Sequence, residues 1–167
     1  MKKVHEILIE NNQDLNIIIQ EGNMDESKRE QFLNRFNEEN DLIAFVVMGG
    51  IFSEGIDLTG DKLIGAIIVG VGLPQICFER NIIKDYFNHN ANQGFEYAYM
   101  YPGMNKILQA AGRVIRSEED RGAILLIDDR FITFRYKELF PREWLDYIII
   151  YNNHIMCNVL NEFWNKN

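Results

Sequence analysis

At 167 residues, with 47% hydrophobic and 25% charged residues, the chain suffices for one domain with a full core, or one domain with an added helical tail. A formal net charge of −8 counts against gripping nucleic acid by bulk charge, and leaves any such affinity to a few placed groups or another domain. Its longest apolar runs are far too short to cross a bilayer, and Met1-Lys2-Lys3 runs into His5 and Glu6 instead of an apolar signal core, so a cytoplasmic location is expected.

Val4, Ile7 and Leu8 form a helical stripe that closes near Asn11 and Asn12. Asn16 to Gln20, NIIIQ, is a β-branched run bounded by polar residues and predicts a strand. Ser27 to Glu30 has the form of a capping box, and Phe32, Leu33 and Phe36 then share one side of a helix. Leu42 to Met48, Ile64 to Val71 and Ala123 to Ile127 are continuous apolar runs of strand length, the pattern of strands buried on both faces of a parallel sheet. Between the last two lie a predicted helix from about Ile76 to Asn90, with Ile82, Ile83, Tyr86 and Phe87 inward, and a second helix from Met104 to Arg116. After Arg130 the pattern becomes aromatic-rich helix, through Trp144 and Tyr147 to Trp164. Cys77 and Cys157 lack a CxxC partner and the three histidines are scattered, so reduced, buried thiols are expected and no metal site.

Strands separated by helices predict a parallel α/β sheet with right-handed crossovers. Ligands of such sheets usually sit beyond the carboxyl ends of the strands. That rule points to the loop after Met48, the loop after Val71, and Asp128-Asp129.

Two stretches carry chemistry. In Met104 to Arg116, the residues Met104, Ile107, Leu108, Ala111, Val114 and Ile115 recur as a buried stripe. Gln109, Gly112, Arg113 and Arg116 share the opposite helical face, where two guanidiniums repel unless an anion lies between them. A phosphate is the functional reading and a solvated charged face the structural one. In Gly49 to Asp61, GGIFSEGIDLTGD, the glycines Gly49, Gly50 and Gly55 permit backbone approaches that side chains forbid. Ser53 and loop amides can donate to phosphate oxygens, whereas Glu54 and Asp57 are acceptors suited to a ribose hydroxyl or an arginine. A plain glycine-rich turn is the structural alternative. Gly70-Val71-Gly72 lacks the third glycine of a dinucleotide fingerprint, and no GxxxxGK[ST] or acidic DExx motif is present. A nucleotide facing Arg113 and Arg116 must therefore find its phosphate cradle and magnesium ligands elsewhere. The alternating aromatics Phe95, Tyr97, Tyr99 and Tyr101 admit base stacking or, as the favoured reading, a packing stripe.

Gly49 to Leu58 resembles motif V, and Gln109 to Arg116 resembles motif VI, of superfamily 2 helicases of the DinG/XPD type. The order also fits, with a GLP turn at Gly72 to Pro74, a YPGMNKI run before motif VI, then GAILLIDDRF and KELFPREW, so that the similarity covers nearly all of Asn16 to Trp144. The resemblance implies the second RecA-like lobe of an ATP-dependent DNA helicase, of 5′-to-3′ polarity: a P-loop-NTPase-type α/β fold with a mostly parallel central sheet flanked by helices and a helical carboxyl-terminal tail. It implies a lobe over residues 1–140 and a helical extension over residues 141–167 packed on it. It also implies a motif IV strand before Met1, in keeping with a chain that opens in a helix where such a lobe normally opens in a strand.

By the same resemblance, ATP with Mg2+ would lie between this lobe and a first RecA-like lobe of the same polypeptide, which holds the magnesium ligands. Arg113 and Arg116 would reach the β- and γ-phosphates, at least one as an arginine finger, with Gln109 setting the γ-phosphate and attacking water or linking the arginines to the first lobe. Glu54, Gly55, Asp57 and Gly112 would line the nucleotide, and Gly50 and Ser53 would touch single-stranded DNA. The lobe alone would neither hydrolyse ATP nor unwind a duplex. The rival readings are a non-catalytic interaction module derived from such a lobe, an RNA translocase, and a small-molecule nucleotide-binding α/β protein, the last disfavoured by the missing phosphate loop.

Overall fold

The computed structural model describes residues 2–12, 14–50 and 62–166. Helix α1 (Lys2–Asn11) precedes strand β1 (Asn16–Ile19), helix α2 (Glu26–Glu38) and strand β2 (Leu42–Phe45). Strand β3 (Gly65–Val69) leads to helix α3 (Phe78–Ala91), then a π-helical turn, Glu96–Met100, that runs directly into helix α4 (Tyr101–Ala111). Strand β4 (Ala123–Ile127), helix α5 (Phe134–Lys137) and helix α6 (Asn153–Asn165) complete the chain, with 3-10 turns at Asp129–Ile132 and Arg142–Trp144.

All strand pairing among the described residues is parallel. β1 pairs with β2, Asn16 opposite Leu42, across the α2 crossover. β3 pairs with β4, Gly65 opposite Ala123, across the α3–α4 crossover. This is the α/β alternation expected of a RecA-like lobe, with the strands in two described pairs.

The main core joins the β3–β4 pair to α4: Ile68, Val71, Met104, Ile107 and Ala111 pack with Phe131 and Tyr136 from the segment after β4. Ile107 is fully buried and Met104 is 2% exposed. A second cluster surrounds Phe32 of α2, against Ile18, Ala44 and Leu63.

The strands β2 and β3 are shorter than the runs Leu42 to Met48 and Ile64 to Val71, whereas β4 spans the whole of Ala123 to Ile127, and β3 is not covered on both faces among the described elements. The β1–β2 ladder ends where Gln20 N–H donates to the Phe45 carbonyl, because the Gln20 side chain then accepts the Val47 N–H at 2.9 Å in place of a strand. In β3, Ile68 is 5% exposed whereas Ile67 and Val69 are 70% and 59% exposed, since α4 covers one face alone among the described elements. In α3, Ile83 and Phe87 are partly buried, while Ile82 and Tyr86 face outward. The helix docks through the flat stack of Phe87 on Tyr97, centroids 3.8 Å apart, which leaves the adjacent stripe in solvent. The amino terminus of α2 is capped by Asp25, whose carboxylate accepts the Lys28 N–H at 2.9 Å, so the cap lies two residues before the expected Ser27. Cys77 and Cys157 are both exposed thiols, against the expectation of burial.

The end of α2 is tied to the start of β1 by a charged network. Arg35 donates to both Glu39 oxygens at 2.8 Å, and Asn16 bridges the two side chains with bonds of 2.6 Å to each. Arg35, followed by Asn16, holds the Glu39 carboxyl down to about 2 from its ordinary 4.5. A carboxylate whose folded pKa is depressed contributes stability that is complete above its unfolded pKa and is lost as pH falls through the folded one. Thermal unfolding should therefore show a gap between the native chain and Glu39→Gln that is constant above the ordinary 4.5 and closes as pH falls towards 2. A gap that persists unchanged at the acid end would contradict the network's role.

Candidate functional site

Helix α4 is the element on which the candidate residues converge. Pro102 follows the π-helical turn directly, and Gly103 lets the helix approach the turn after β3. A Cβ on Gly103 would lie 2.6 Å from the Val71 carbonyl oxygen. One on Gly72, whose φ is +61, would lie 3.0 Å from the Gly103 oxygen. Two bare backbones in contact thus set α4 at the carboxyl end of β3.

The helix ends earlier than its sequence pattern. Ala111 is its last residue, and Gly112 caps it at φ −66, ψ −3. The amides of Arg113 and Val114 bond three residues back, to Ala110 and Ala111, in tighter turns. Val114 remains buried at 4%, but Ile115, expected in the buried stripe, is 41% exposed. Beyond these turns the helix does not resume, because the Asp120 carboxylate takes the Arg116 and Ser117 amides, each at 2.8 Å. Arg113 and Arg116 are both half-buried, in and just beyond that exit turn, and do not share a helical face with Gln109. Gln109 is exposed on the last helical turn and Gly112 is exposed at the cap.

The loop after β2 meets α4 from the other side. Gly49 has φ +79, a left-handed conformation suited to glycine, and Lys106 lies across it: a Cβ at Gly49 would be 3.0 Å from Lys106 Cε. Gly50 N–H donates to the Val47 carbonyl at 3.0 Å, and the Gln20 amide packs against Gly50. Gly50 is thereby placed near the face of α4 that carries Lys106. Ser53, Glu54, Gly55 and Asp57 lie outside the described residues.

Of the acidic pair after β4, Asp128 is engaged within the chain. Both its oxygens accept from the Arg130 side chain at 2.8 Å, and Oδ1 also takes the Arg130 N–H. The Arg130 guanidinium holds the Asp128 carboxyl below its usual range. The aromatic run is helical and serves packing: Tyr99 is 6% exposed, and contacts run four residues apart, Phe95 to Tyr99 and Tyr97 to Tyr101.

Three residues of the site escaped the sequence reading. Lys106 precedes Gln109 by three positions, and extending that helical spacing one turn back would have included it. Asp120 falls four residues after Arg116, in the polar run Ser117 to Asp120 that marks a turn. Gln20 carried no signal, since its contact with the loop after β2 is a product of strand pairing.

Beside the exit turn, Arg121 clasps the tail. Its guanidinium donates to the carbonyls of Phe163 and Lys166 at 2.6 and 2.8 Å and lies over the Phe163 ring at 5.3 Å. A cation at a helix carboxyl terminus and over an aromatic face together contribute about 1 kcal/mol. Arg121→Ala should accordingly speed amide exchange in the last turn of α6 about fivefold, while amides of α4 exchange as before. Unchanged exchange in α6 would show that the clasp is energetically idle.

Residues 1–147 match the helicase C-terminal domain family. The chain is 36% identical over 89 residues, 52% of its length, to the ATP-dependent DNA helicase DinG of Photobacterium profundum. It is 28% identical over 126 residues, 70% of its length, to the regulator of telomere elongation helicase 1 homolog of Caenorhabditis elegans. It spans 13% and 12% of those two relatives' own lengths. A solved XPD helicase superposes on 83% of the chain with a TM-score of 0.63 at 21% identity, the match covering 25% of that structure.

Proposed function

From the chain's membership of the helicase C-terminal domain family, in its DinG/XPD-type branch, we propose that it is the second RecA-like lobe of an ATP-dependent DNA helicase. In that role it presents arginines to an ATP held mainly by a first lobe. The observation in support is the exit turn of α4, in and just beyond which Arg113 and Arg116 lie half-buried, while Lys106 of the same helix lies across Gly49 at the start of the loop after β2. Phosphoryl transfer spreads charge over the γ-phosphate oxygens, and a guanidinium aimed there lowers the barrier without bond chemistry of its own. Lys106, Arg113 and Arg116 are cations, a type that suits phosphate oxygens and not a divalent cation, so Mg2+ would be held on the first lobe's side.

Gln109 would orient the attacking water or the γ-phosphate, with Glu54, Gly55, Asp57 and Gly112 lining the nucleotide. Gly50 and Ser53 would meet the single-stranded backbone, and the loop that joins them to the nucleotide would couple lobe closure to a step along the strand.

The test is DNA-stimulated ATP hydrolysis by this chain alone and by a polypeptide that unites it with a first helicase lobe, each with DNA and with RNA. An inactive single lobe beside an active, DNA-stimulated two-lobe protein is the expected result. Hydrolysis by the lobe alone would overturn the half-site reading, and preferential stimulation by RNA would overturn the choice of track.

A further inference from the structure

Arg116 lies beyond the end of α4, outside the helical hydrogen-bond ladder. Transition-state charge stabilisation asks for placement within about 0.5 Å, which a loop supplies only where its backbone is held. One oxygen supplies two such bonds to the backbone here. Asp120 Oδ2 accepts the N–H of Arg116 and the N–H of Ser117, both at 2.8 Å. The loop is closed by further bonds: Asp120 N–H donates to the Ser117 carbonyl at 3.3 Å, and Glu119 N–H to the Ser117 hydroxyl at 3.3 Å. The Arg116 amide, then that of Ser117, keeps the Asp120 carboxyl below its usual range, so it stays an acceptor at any pH where the protein would work.

Both ends of this loop rest on fixed structure. Val114 is buried at 4%, and Gly122 packs so closely under it that a Cβ there would come within 2.3 Å of Val114 Cγ1. The next residue, Ala123, donates its N–H to the Ile64 carbonyl at the start of the β3–β4 ladder.

We propose that Asp120 is a positioning residue for Arg116: it fixes the arginine's backbone and thereby where the guanidinium meets a phosphate. Asp120 touches no nucleotide itself, and its role rests on the reading of Arg116 as phosphate-facing.

The test uses the two-lobe polypeptide and compares Asp120→Ala, Asp120→Asn, Ser117→Ala and Arg116→Ala. Asp120→Ala should lower kcat for DNA-stimulated ATP hydrolysis at least tenfold, with KM for ATP within about twofold. Asp120→Asn keeps an acceptor oxygen and should recover most of that loss, and Ser117→Ala, which leaves both amide bonds in place, should match the native protein. In this chain alone, Asp120→Ala should speed exchange of the Arg116 and Ser117 amides at least tenfold and leave that of Ile107 unchanged. A kcat within twofold of native in Asp120→Ala, where Arg116→Ala abolishes turnover, overturns the positioning role and spares the arginine reading. Full activity in Arg116→Ala overturns the arginine reading, and the positioning role with it. Equal loss of protection at Ile107 and Arg116 in Asp120→Ala overturns the proposal in favour of a general structural role.

Discussion

Arg113→Ala and Arg116→Ala, each made in a two-lobe enzyme containing this chain, should leave a folded protein whose DNA-stimulated ATP turnover has fallen steeply. An arginine finger is worth roughly 10³ to 10⁵ in turnover, and the variant that removes it should show a loss in that range. With Arg116 as the finger, Arg113→Ala should fall less and chiefly through KM, as expected of a group that binds the β-phosphate equally in ground and transition states. The fold should survive because packing of this region rests on Met104, Ile107, Ala111 and Val114, all exposed by 4% or less, and not on the arginines, which are half-buried at the exit turn. Lysine at either position keeps the charge but loses the planar fork, so little rescue is expected at the finger. Near-native turnover in both alanine variants would refute the role given to this turn.

Gly103→Ala should destabilise the chain by about 2 kcal/mol, a typical cost of overpacking a tight site, which for a chain of this size lowers Tm by roughly 4–8 °C. The added methyl would sit 2.6 Å from the Val71 carbonyl oxygen and 3.3 Å from the Gly72 backbone, and backbone atoms cannot swing aside as a side-chain tip can. Relief therefore requires α4 to back away from the turn after β3. Because α4 also sets Lys106 across Gly49, the same variant in a two-lobe enzyme should weaken ATP turnover beyond what its lost stability explains. Gly70 makes a useful control for crowding: a Cβ there meets nothing within 4 Å, although its φ of +87 still strains any other residue. A Gly103→Ala protein that melts with the native chain would show that the helix is not seated on bare backbone.

Much of the architecture was legible because its signals are local. The β-branched run Asn16 to Gln20 and the apolar run Ala123 to Ile127 become strands within one residue of expectation. The stripe Met104, Ile107, Ala111 is the buried face of α4, and Leu108 beside it is partly buried. Paired glycine-rich and arginine-bearing motifs named the family, which the match over residues 1–147 shows. What escaped depends on partners distant in sequence. Periodicity carries the helical pattern on to Arg116, but the ladder gives way after Ala111 to tighter turns, and Asp120 then takes the Arg116 and Ser117 amides; helical spacing does not register such a competing acceptor. Continuous apolar composition predicted strands covered on both faces, yet coverage belongs to whatever packs there: Ile68 has α4 against it and Ile67 has solvent.

The sequence by itself determined the fold class and the family, since these rest on residue type, order and spacing within a few turns of chain. Tertiary structure alone decided that Arg113 and Arg116 sit in an exit turn, that Lys106 bridges to Gly49, that Gln20 braces the same loop, and that Asp128 is engaged by Arg130. Each is a close contact whose energy falls away within an ångström or two. It forms only when crossovers and strand pairing bring remote segments together, so no local pattern of residue types can announce it.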